Sequence, residues 1–450
     1  MIHAVVPEIE VGILKAELIR FTLKGTFLAE GKDLVLSGNA EAVPDEEGIL
    51  LRYPRGCIHT KDPLVLQPED PERGRFVLRK VVIGIGFHWE QEEDQEFQGS
   101  LKLMPAGGEI QGINVIPVEE YLISVISSEM RGDSSLSLLK AHTIISRSWL
   151  LAQIEKQDQL AGSGRRYEPE LRTDKEYIRW YDREDHEHFH VCADDHCQRY
   201  QGTTRAHNPE VIRAVRETTG EVLVYGESIC DARFSKCCGG VVEEFQYCWE
   251  AVPHPYLKRV EDRPEEEAGS WGDLKLESNA KAFIRASPDA FCNTSDAALL
   301  RQVLNDYDQA SGDFFRWEVR YSQEELASLI REKSGIDFGQ ILDLVPVQRG
   351  ESGRLVRLKI VGSLRSLVVG KELEIRRWLS PSHLYSSAFI VEKLKVKEGI
   401  PGRFLFRGAG WGHGVGLCQI GAAVMASRGY THTEILHHYF IDASIEKRYE

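Results

Sequence analysis

Residues 117–152 read PVEEYLISVISSEMRGDSSLSLLKAHTIISRSWLLA, from Pro117 to Ala152, and the rest of the chain is organised around them. Proline suits the first turn of a helix, where its missing N–H costs nothing. From Pro117 onward, Val118, Leu122, Val125 and Glu129 recur at helical spacing, with Tyr121 and Ile126 beside them. A carboxylate therefore stands on the apolar stripe where a leucine would be expected. Arg131-Gly132-Asp133-Ser134-Ser135 breaks this helix, with Gly132 as its stop and a serine as the next N-cap. A second helix follows, with Leu138, Ala141, Ile145 and Trp149 on one face and Lys140 and Arg147 on another.

A glutamate at the end of an apolar stripe has a chemical consequence. Desolvation disfavours a carboxylate and raises its pKa, and a glutamic acid that stays protonated near neutral pH can act as a general acid. The structural alternative is an ion pair between Glu129 and Arg147 or Lys140, holding the two helices together.

The chain has 450 residues, enough for about two to four domains. A net charge of −15 argues against a general nucleic-acid binder. No run of about 18 apolar residues predicts a membrane span. The first residues, MIHAVVPEIEVGILKAELIRF, carry Glu8 and Glu10 where a signal peptide would be basic and then apolar, so the chain reads as cytoplasmic or as a processed form.

The pattern predicts an α+β protein: a β-rich region over 1–112, then a mixed core of short helices and antiparallel strands over 113–450, with a helical insertion around 263–340. In the first region, short β-prone runs such as Ile19–Leu23, Phe76–Leu78 and Val81–Phe87 alternate with Gly, Asp and Pro turns. The charge run Glu90–Glu96 reads as a solvated hairpin tip, and 155–166 as a loop. Further on, Pro209–Thr218, Ala280–Ile284, Ser295–Asp306 and Gln323–Ser334 read as helices. Leu367–Ile375 reads as β, and Thr431 and Glu434 form a capping box before the last helix.

Nine cysteines is an odd count for a fully disulfide-bonded protein, and thiols grouped beside histidines suggest metal more than a disulfide scaffold. His186, His188, His190, Cys192, His196 and Cys197 fall within a short stretch of Tyr181–Gly202. Imidazole and thiolate at that density suit tetrahedral Zn²⁺; the alternative is a disulfide between Cys192 and Cys197. Cys237 and Cys238 lie in a turn and are expected to be buried thiols rather than ligands. Cys57, Cys292 and Cys418 are isolated in sequence. Near the C-terminus, Gly408-Ala409-Gly410-Trp411-Gly412-His413-Gly414-Val415-Gly416 alternates glycine with other residues, which permits φ > 0 and close backbone approach and presents Trp411 and His413. No phosphate-binding loop can be aligned here.

Three stretches together resemble the SpoIID/LytB family, the bacterial sporulation and amidase-enhancer proteins that act on peptidoglycan. They are VEEYLISVISSEM…LLKAHTIISRSWLLA (Val118–Ala152), CADDHCQRYQG (Cys192–Gly202) and GAGWGHGVGLCQIGAAVMASRGYTHTEILHHYF (Gly408–Phe440), with weaker agreement at Ser352–Gly362 and His254–Asp262. The resemblance spans roughly residues 110–445. It implies that Glu129 is the acid of a lytic transglycosylase. It also implies a structural zinc held by Cys192, Cys197 and a histidine, with His186 the first choice and His190 or His188 the alternatives. His196, Gln198, His413 and Gln419 would line the substrate site, and Lys140, Arg147 and Trp411 join them as candidate substrate-binding residues. Two departures stand out: Arg131 replaces the proline that usually follows Ser-Glu-Met, and the family's serine-rich SxSGG turn reads SKCCGG at Ser235–Gly240.

The implied reaction cleaves the MurNAc–GlcNAc β-1,4 bond with 1,6-anhydro-MurNAc formation. Glu129 would first protonate the leaving oxygen and then, as carboxylate, deprotonate the MurNAc 6-hydroxyl, so that one group serves both steps. Implied partners are peptidoglycan glycan strands and a cell-wall amidase, and the implied location is the cell envelope or periplasm. Rival readings are a non-catalytic glycan-binding activator of an amidase and a zinc hydrolase built on the His/Cys cluster.

Overall fold

A computed structural model describes residues 5–46, 48–84, 90–131, 134–163, 168–181, 186, 188–194, 196–204, 208–264, 271–303 and 314–450. The helix stop expected at Gly132 and the ends of the Val81–Phe87 and Ser295–Asp306 elements fall outside them. The chain forms two compact units: Met1–Asp158 with His186–Val222 and Glu446–Glu450, and Gln159–Asp185 with Leu223–Ile445. Helix accounts for 25% and strand for 38%, in separate mixed and antiparallel sheets, which makes this an α+β protein.

In the first unit, eleven strands among the described residues join one sheet. Its main path runs Val191–Cys192, Glu8–Ala16, Glu109–Pro117, Ser100–Ala106, Leu64–Pro68, Ile19–Ala29, Val35–Asp45, Gly48–Tyr53 and Gly56–Thr60. Period-two alternation sets which face is buried: Ile19, Phe21, Leu23, Phe27 and Ala29 are buried, whereas Arg20, Lys24 and Leu28 are exposed. The charge run predicted as a hairpin tip is instead the strand Gln91–Phe97, antiparallel to Arg75–Ile83. Gln95 and Phe97 turn inward from it, and Asp94 pairs across the strands with Arg79 at 2.7 Å. Cross-strand ion pairing lets so acidic a segment hold a ladder.

Strand Glu109–Pro117 runs straight into helix α1, Val118–Glu129; Pro117, at φ −59°, is its N-cap. Helix α2, Leu136–Ser163, opens on Ser135, whose Oγ accepts the Leu138 N–H at 3.3 Å. It extends well past the point where a loop was expected, because Glu155, Lys156, Gln157 and Gln159 are good helix formers and nothing breaks the run. Leu138, Leu139 and every residue from Ala141 to Leu150 are buried, so α2 is enclosed all round rather than along one stripe. Its polar side chains survive there by bonding to the preceding turn: Thr143 Oγ1 donates to the Leu139 carbonyl at 2.8 Å and Ser148 Oγ to that of Ile144 at 2.6 Å.

The second unit contains a five-stranded sheet, in the order Glu170–Arg172, Glu176–Arg179, Ser366–Gly370, Leu355–Gly362 and Ile341–Arg349, and a three-stranded sheet with Arg403–Ala409 between Arg316–Ser322 and Phe389–Leu394. Trp317, Ile330, Leu358, Ile360, Trp378, Phe389 and Phe406 belong to one core. The expected helices appear at Glu277–Arg285, Ala297–Val303 and Gln323–Ser334, but the stretch read as a helical insertion also supplies the strand Arg316–Ser322. The Ser322/Glu325 and Thr431/Glu434 capping boxes both form, and Gly335 closes its helix at φ +69°. The β pattern read over Leu367–Ile375 stops at Gly370, and Glu372–Trp378 is helical. Its acidic first turn and basic last turn complement the helix dipole, and the Leu-Glu-Ile alternation only imitates a strand.

Candidate active site and metal centres

Glu129 is the last residue of α1 and is half-buried, while Met130 beyond it is buried and bonds back to the Ile126 carbonyl at 2.8 Å. The two cations that the sequence offered as structural partners for Glu129 are engaged by other carboxylates. Arg147 is fully buried and grips Glu119 with Nε at 2.9 Å and Nη2 at 2.6 Å, while its Nη1 donates to the Glu221 carbonyl at 2.9 Å. Lys140 pairs with Glu217 at 2.6 Å. Arg147 therefore sits in the joint between α1 and α2, and Lys140 fastens α2 to the end of the helix Pro209–Glu217.

Tyr121, on α1, stacks on Tyr200 at 5.0 Å, and its buried hydroxyl has no hydrogen-bond partner. Burial, with Cys197, Cys192, Tyr200 and Glu129 in electrostatic reach, holds that phenol well above its ordinary range. The hydroxyl thus lies in the field of both Glu129 and the cysteine pair.

His186, Cys192, His196 and Cys197 place their donor atoms within 4.8 Å of one another. His186 Nε2 is 3.3 Å from Cys197 Sγ, and His196 Nδ1 is 3.5 Å from the same sulfur. These contacts from Cys197, His186 and His196 draw the Cys192 thiol far below its usual range against the cost of burial. Two imidazoles and two thiols match the donor set of a closed tetrahedral zinc site. Of the three histidines considered as third ligand, His186 reaches the cysteines. His190 is spent elsewhere, since its Nδ1 accepts the Glu10 N–H at 3.0 Å, and His188 is exposed. His196, expected to line the substrate site, joins the donor set; its position next to Cys197 was the signal available in the sequence.

The segment bearing these donors is fastened to the first unit's framework. Val191 and Cys192 pair in parallel with Val11 and Gly12. Gln198 is buried and donates to the Ser146 carbonyl on α2 at 3.2 Å, and the Gln201 N–H donates to Ser124 Oγ on α1 at 3.2 Å.

In the second unit, four of the five alternating glycines adopt positive φ: Gly410, Gly412, Gly414 and Gly416. The fifth, Gly408, serves close approach instead, because a Cβ there would lie 2.1 Å from the Trp317 ring. Trp411 is half-buried and stacks on Phe314 at 4.7 Å. His413 Nδ1 accepts the Val415 N–H at 3.0 Å, and its other nitrogen bonds to the Phe234 carbonyl. Burial, with Arg233 and Arg354 nearby, keeps that ring neutral, far below its normal pKa. His413 thus fastens the loop to itself, and Gln419 is buried at the start of the next helix.

Residues 106–225 match the family model described as Stage II sporulation protein, and residues 243–416 match one described as a Domain of unknown function (DUF8618). The chain is 24% identical over 345 residues to an uncharacterized protein of Brachyspira hyodysenteriae, covering 77% of this chain and 71% of that one. It is 24% identical over 248 residues to the Amidase enhancer of Bacillus subtilis, covering 52% of this chain and 32% of that protein. Against Stage II sporulation protein D of Bacillus amyloliquefaciens it is 22% identical over 333 residues, 74% of this chain and 75% of that one.

Proposed function

The chain belongs to the SpoIID/LytB family, and on that premise we propose that it acts on the bacterial cell wall as a peptidoglycan lytic transglycosylase with Glu129 as its acid and base. One observation carries the choice of residue. Glu129 sits half-buried at the end of α1, in electrostatic reach of the buried Tyr121 phenol, which also lies in the field of Cys192 and Cys197.

In this reading protonated Glu129 donates to the glycosidic oxygen between MurNAc and GlcNAc. The resulting carboxylate then takes the proton of the MurNAc 6-hydroxyl as that oxygen closes on C1. The leaving sugar departs with the first proton and Glu129 regains the second, so the cycle balances without water. In the same reading Trp411 and Gln419 of the second unit contribute to glycan binding, while His196 and Gln198 belong to the segment that carries the His/Cys cluster. His186, Cys192, His196 and Cys197 would hold zinc, a structural tie for the segment that Gln198 and Gln201 anchor on α2 and α1. Peptidoglycan strands are the proposed ligand and the cell envelope the proposed site of action. No helix among the described residues is long and apolar enough to cross a membrane.

The test is mass spectrometry of products from purified glycan strands treated with wild type and with Glu129→Gln. Anhydro-MurNAc ends from wild type alone support the reading, and reducing ends or identical products from both proteins overturn it. The similarity to an amidase enhancer favours one alternative, a glycan-binding activator. Under it neither protein cleaves, and both stimulate an amidase equally.

A further inference from the structure

A second cluster of metal-binding side chains lies in the other unit, apart from the proposed chemistry. Cys238, Asp262, Cys292 and Cys418 are all buried, and their donor atoms lie within 4.8 Å of one another. They come from four separate segments: the SKCCGG turn, the residue after Glu261, the loop before Ala297–Val303, and the short strand Leu417–Cys418. Cys292 and Cys418, isolated in sequence, are thus brought to one of the paired cysteines. We infer that these four residues form a second metal centre, one that binds a single zinc ion through three thiolates and a carboxylate.

Spacing is the first argument. A zinc–thiolate bond of about 2.3 Å puts tetrahedral sulfurs about 3.8 Å apart, and Cys238 Sγ lies 3.6 Å from Cys292 Sγ. Four donors this close suit one ion. All four cysteines of the neighbourhood, Cys237 included, are free thiols.

Charge is the second. Asp262 is fully buried, and among the described residues the only basic group within ion-pair distance is His438, at 3.9 Å. Its carboxylate accepts the Cys292 N–H at 2.9 Å and the Tyr439 hydroxyl at 2.6 Å, which orients it but brings no cation. A buried carboxylate without a counter-charge is costly. Arg316 presents the opposite case. Its guanidinium is spent on the carbonyls of Ala286, Gly239, Phe315 and Phe283, and among the described residues it pairs with no carboxylate, yet it lies in the field of Cys292, Cys237 and Cys238. A zinc with three thiolates and a carboxylate carries net negative charge, which such an arginine would offset.

The surroundings are those of a ligated sulfur. The Cys238 N–H donates to Cys418 Sγ at 3.2 Å, as amides do to metal-bound thiolates. His438 Nε2 is buried without a hydrogen-bond partner and faces Asp262. Gly421 leaves room for the carboxylate, since a Cβ there would lie 2.6 Å from Asp262 Oδ1.

The test uses the full chain with Cys192→Ser and Cys197→Ser, so that the first cluster contributes nothing and its own fate is read separately. Elemental analysis of this folded variant is expected to find one zinc per chain. Replacement by Co²⁺ is expected to give thiolate-to-cobalt charge-transfer bands and intense tetrahedral d–d bands. Adding Cys292→Ser should abolish both the bound ion and the bands. If that variant does not fold, Asp262→Asn in the same background decides: a shifted d–d envelope assigns the carboxylate as a ligand, and an unchanged spectrum overturns the donor set. A folded Cys192→Ser/Cys197→Ser chain that binds neither zinc nor cobalt overturns the centre. So does a Cys238–Cys292 disulfide in the non-reduced peptide map.

Discussion

Arg147 of α2 grips Glu119 of α1 in a two-pronged pair, Nε to Oε1 at 2.9 Å and Nη2 to Oε2 at 2.6 Å, with the arginine wholly buried. Glu119 also accepts the Tyr449 hydroxyl at 2.6 Å and the Gly220 N–H at 3.4 Å, so one carboxylate gathers α2, the chain end and the turn after Pro209–Glu217. Removing one member of a buried pair strands the other charge. Arg147→Met should therefore cost about 3–5 kcal/mol in urea unfolding. Arg147→Lys should recover only part of that, because an ammonium cannot reproduce the planar fork.

Tyr121 should respond in the opposite sense. Its hydroxyl is buried without a partner, and deleting an unsatisfied polar group removes a desolvation penalty of about 1 kcal/mol or more. Tyr121→Phe is expected to leave stability unchanged or to raise it by about that amount, as read by urea unfolding of the two proteins side by side.

The His/Cys cluster should act locally. Cys197 Sγ is the sulfur both histidines approach, and the segment around it is fastened to Val11–Gly12, Ser124 and Ser146. In Cys197→Ser, hydrogen–deuterium exchange over residues 190–204 should quicken about tenfold or more, equivalent to about 1.4 kcal/mol of lost local protection. The sheet strands Ile19–Ala29 and Ser100–Ala106 should keep their wild-type exchange.

Gly414 should tolerate no side chain. It sits at φ +78°, and a Cβ would lie 2.3 Å from Arg354 Cζ. Arg354 is itself buried and holds the Cys238 and Gly412 carbonyls, so it cannot yield freely. Gly414→Ala is expected to cost about 2–4 kcal/mol, backbone strain and steric displacement together, measured by thermal and urea unfolding.

His383 makes stability depend on pH. Burial, with Arg376 and Arg377 nearby, pushes its imidazole down to about 4 from 6.5. As pH falls through 6.5 the unfolded chain takes up this proton first, so the stabilising contribution is present above 6.5 and is lost progressively down to about 4. The slope is at most about 1.4 kcal/mol per pH unit, less for a half-buried ring. His383→Asn should flatten the curve of unfolding free energy against pH between 6.5 and 4.5, with little change at pH 8.

Local signals determined much of this protein from sequence alone. The 3.6-residue spacing of Val118, Leu122 and Val125, a serine as N-cap of the second helix and the Thr431/Glu434 capping box all act over one or two helical turns, and each appears where its chemistry places it. The same spacing singled out Glu129, and the density of His and Cys around Cys192 marked that cluster. Short-range alternation also misled: Leu367–Ile375 looks like a strand until Gly370 ends it, and a polar segment after Ala152 was as ready to continue a helix as to leave one. Tertiary structure alone decided who pairs with whom. Arg147 chose Glu119 over Glu129 because helix packing, not charge, sets which carboxylate it meets. Cys238, Asp262, Cys292 and Cys418 are up to 180 positions apart in the chain, and only the folding of four segments around one point makes them neighbours.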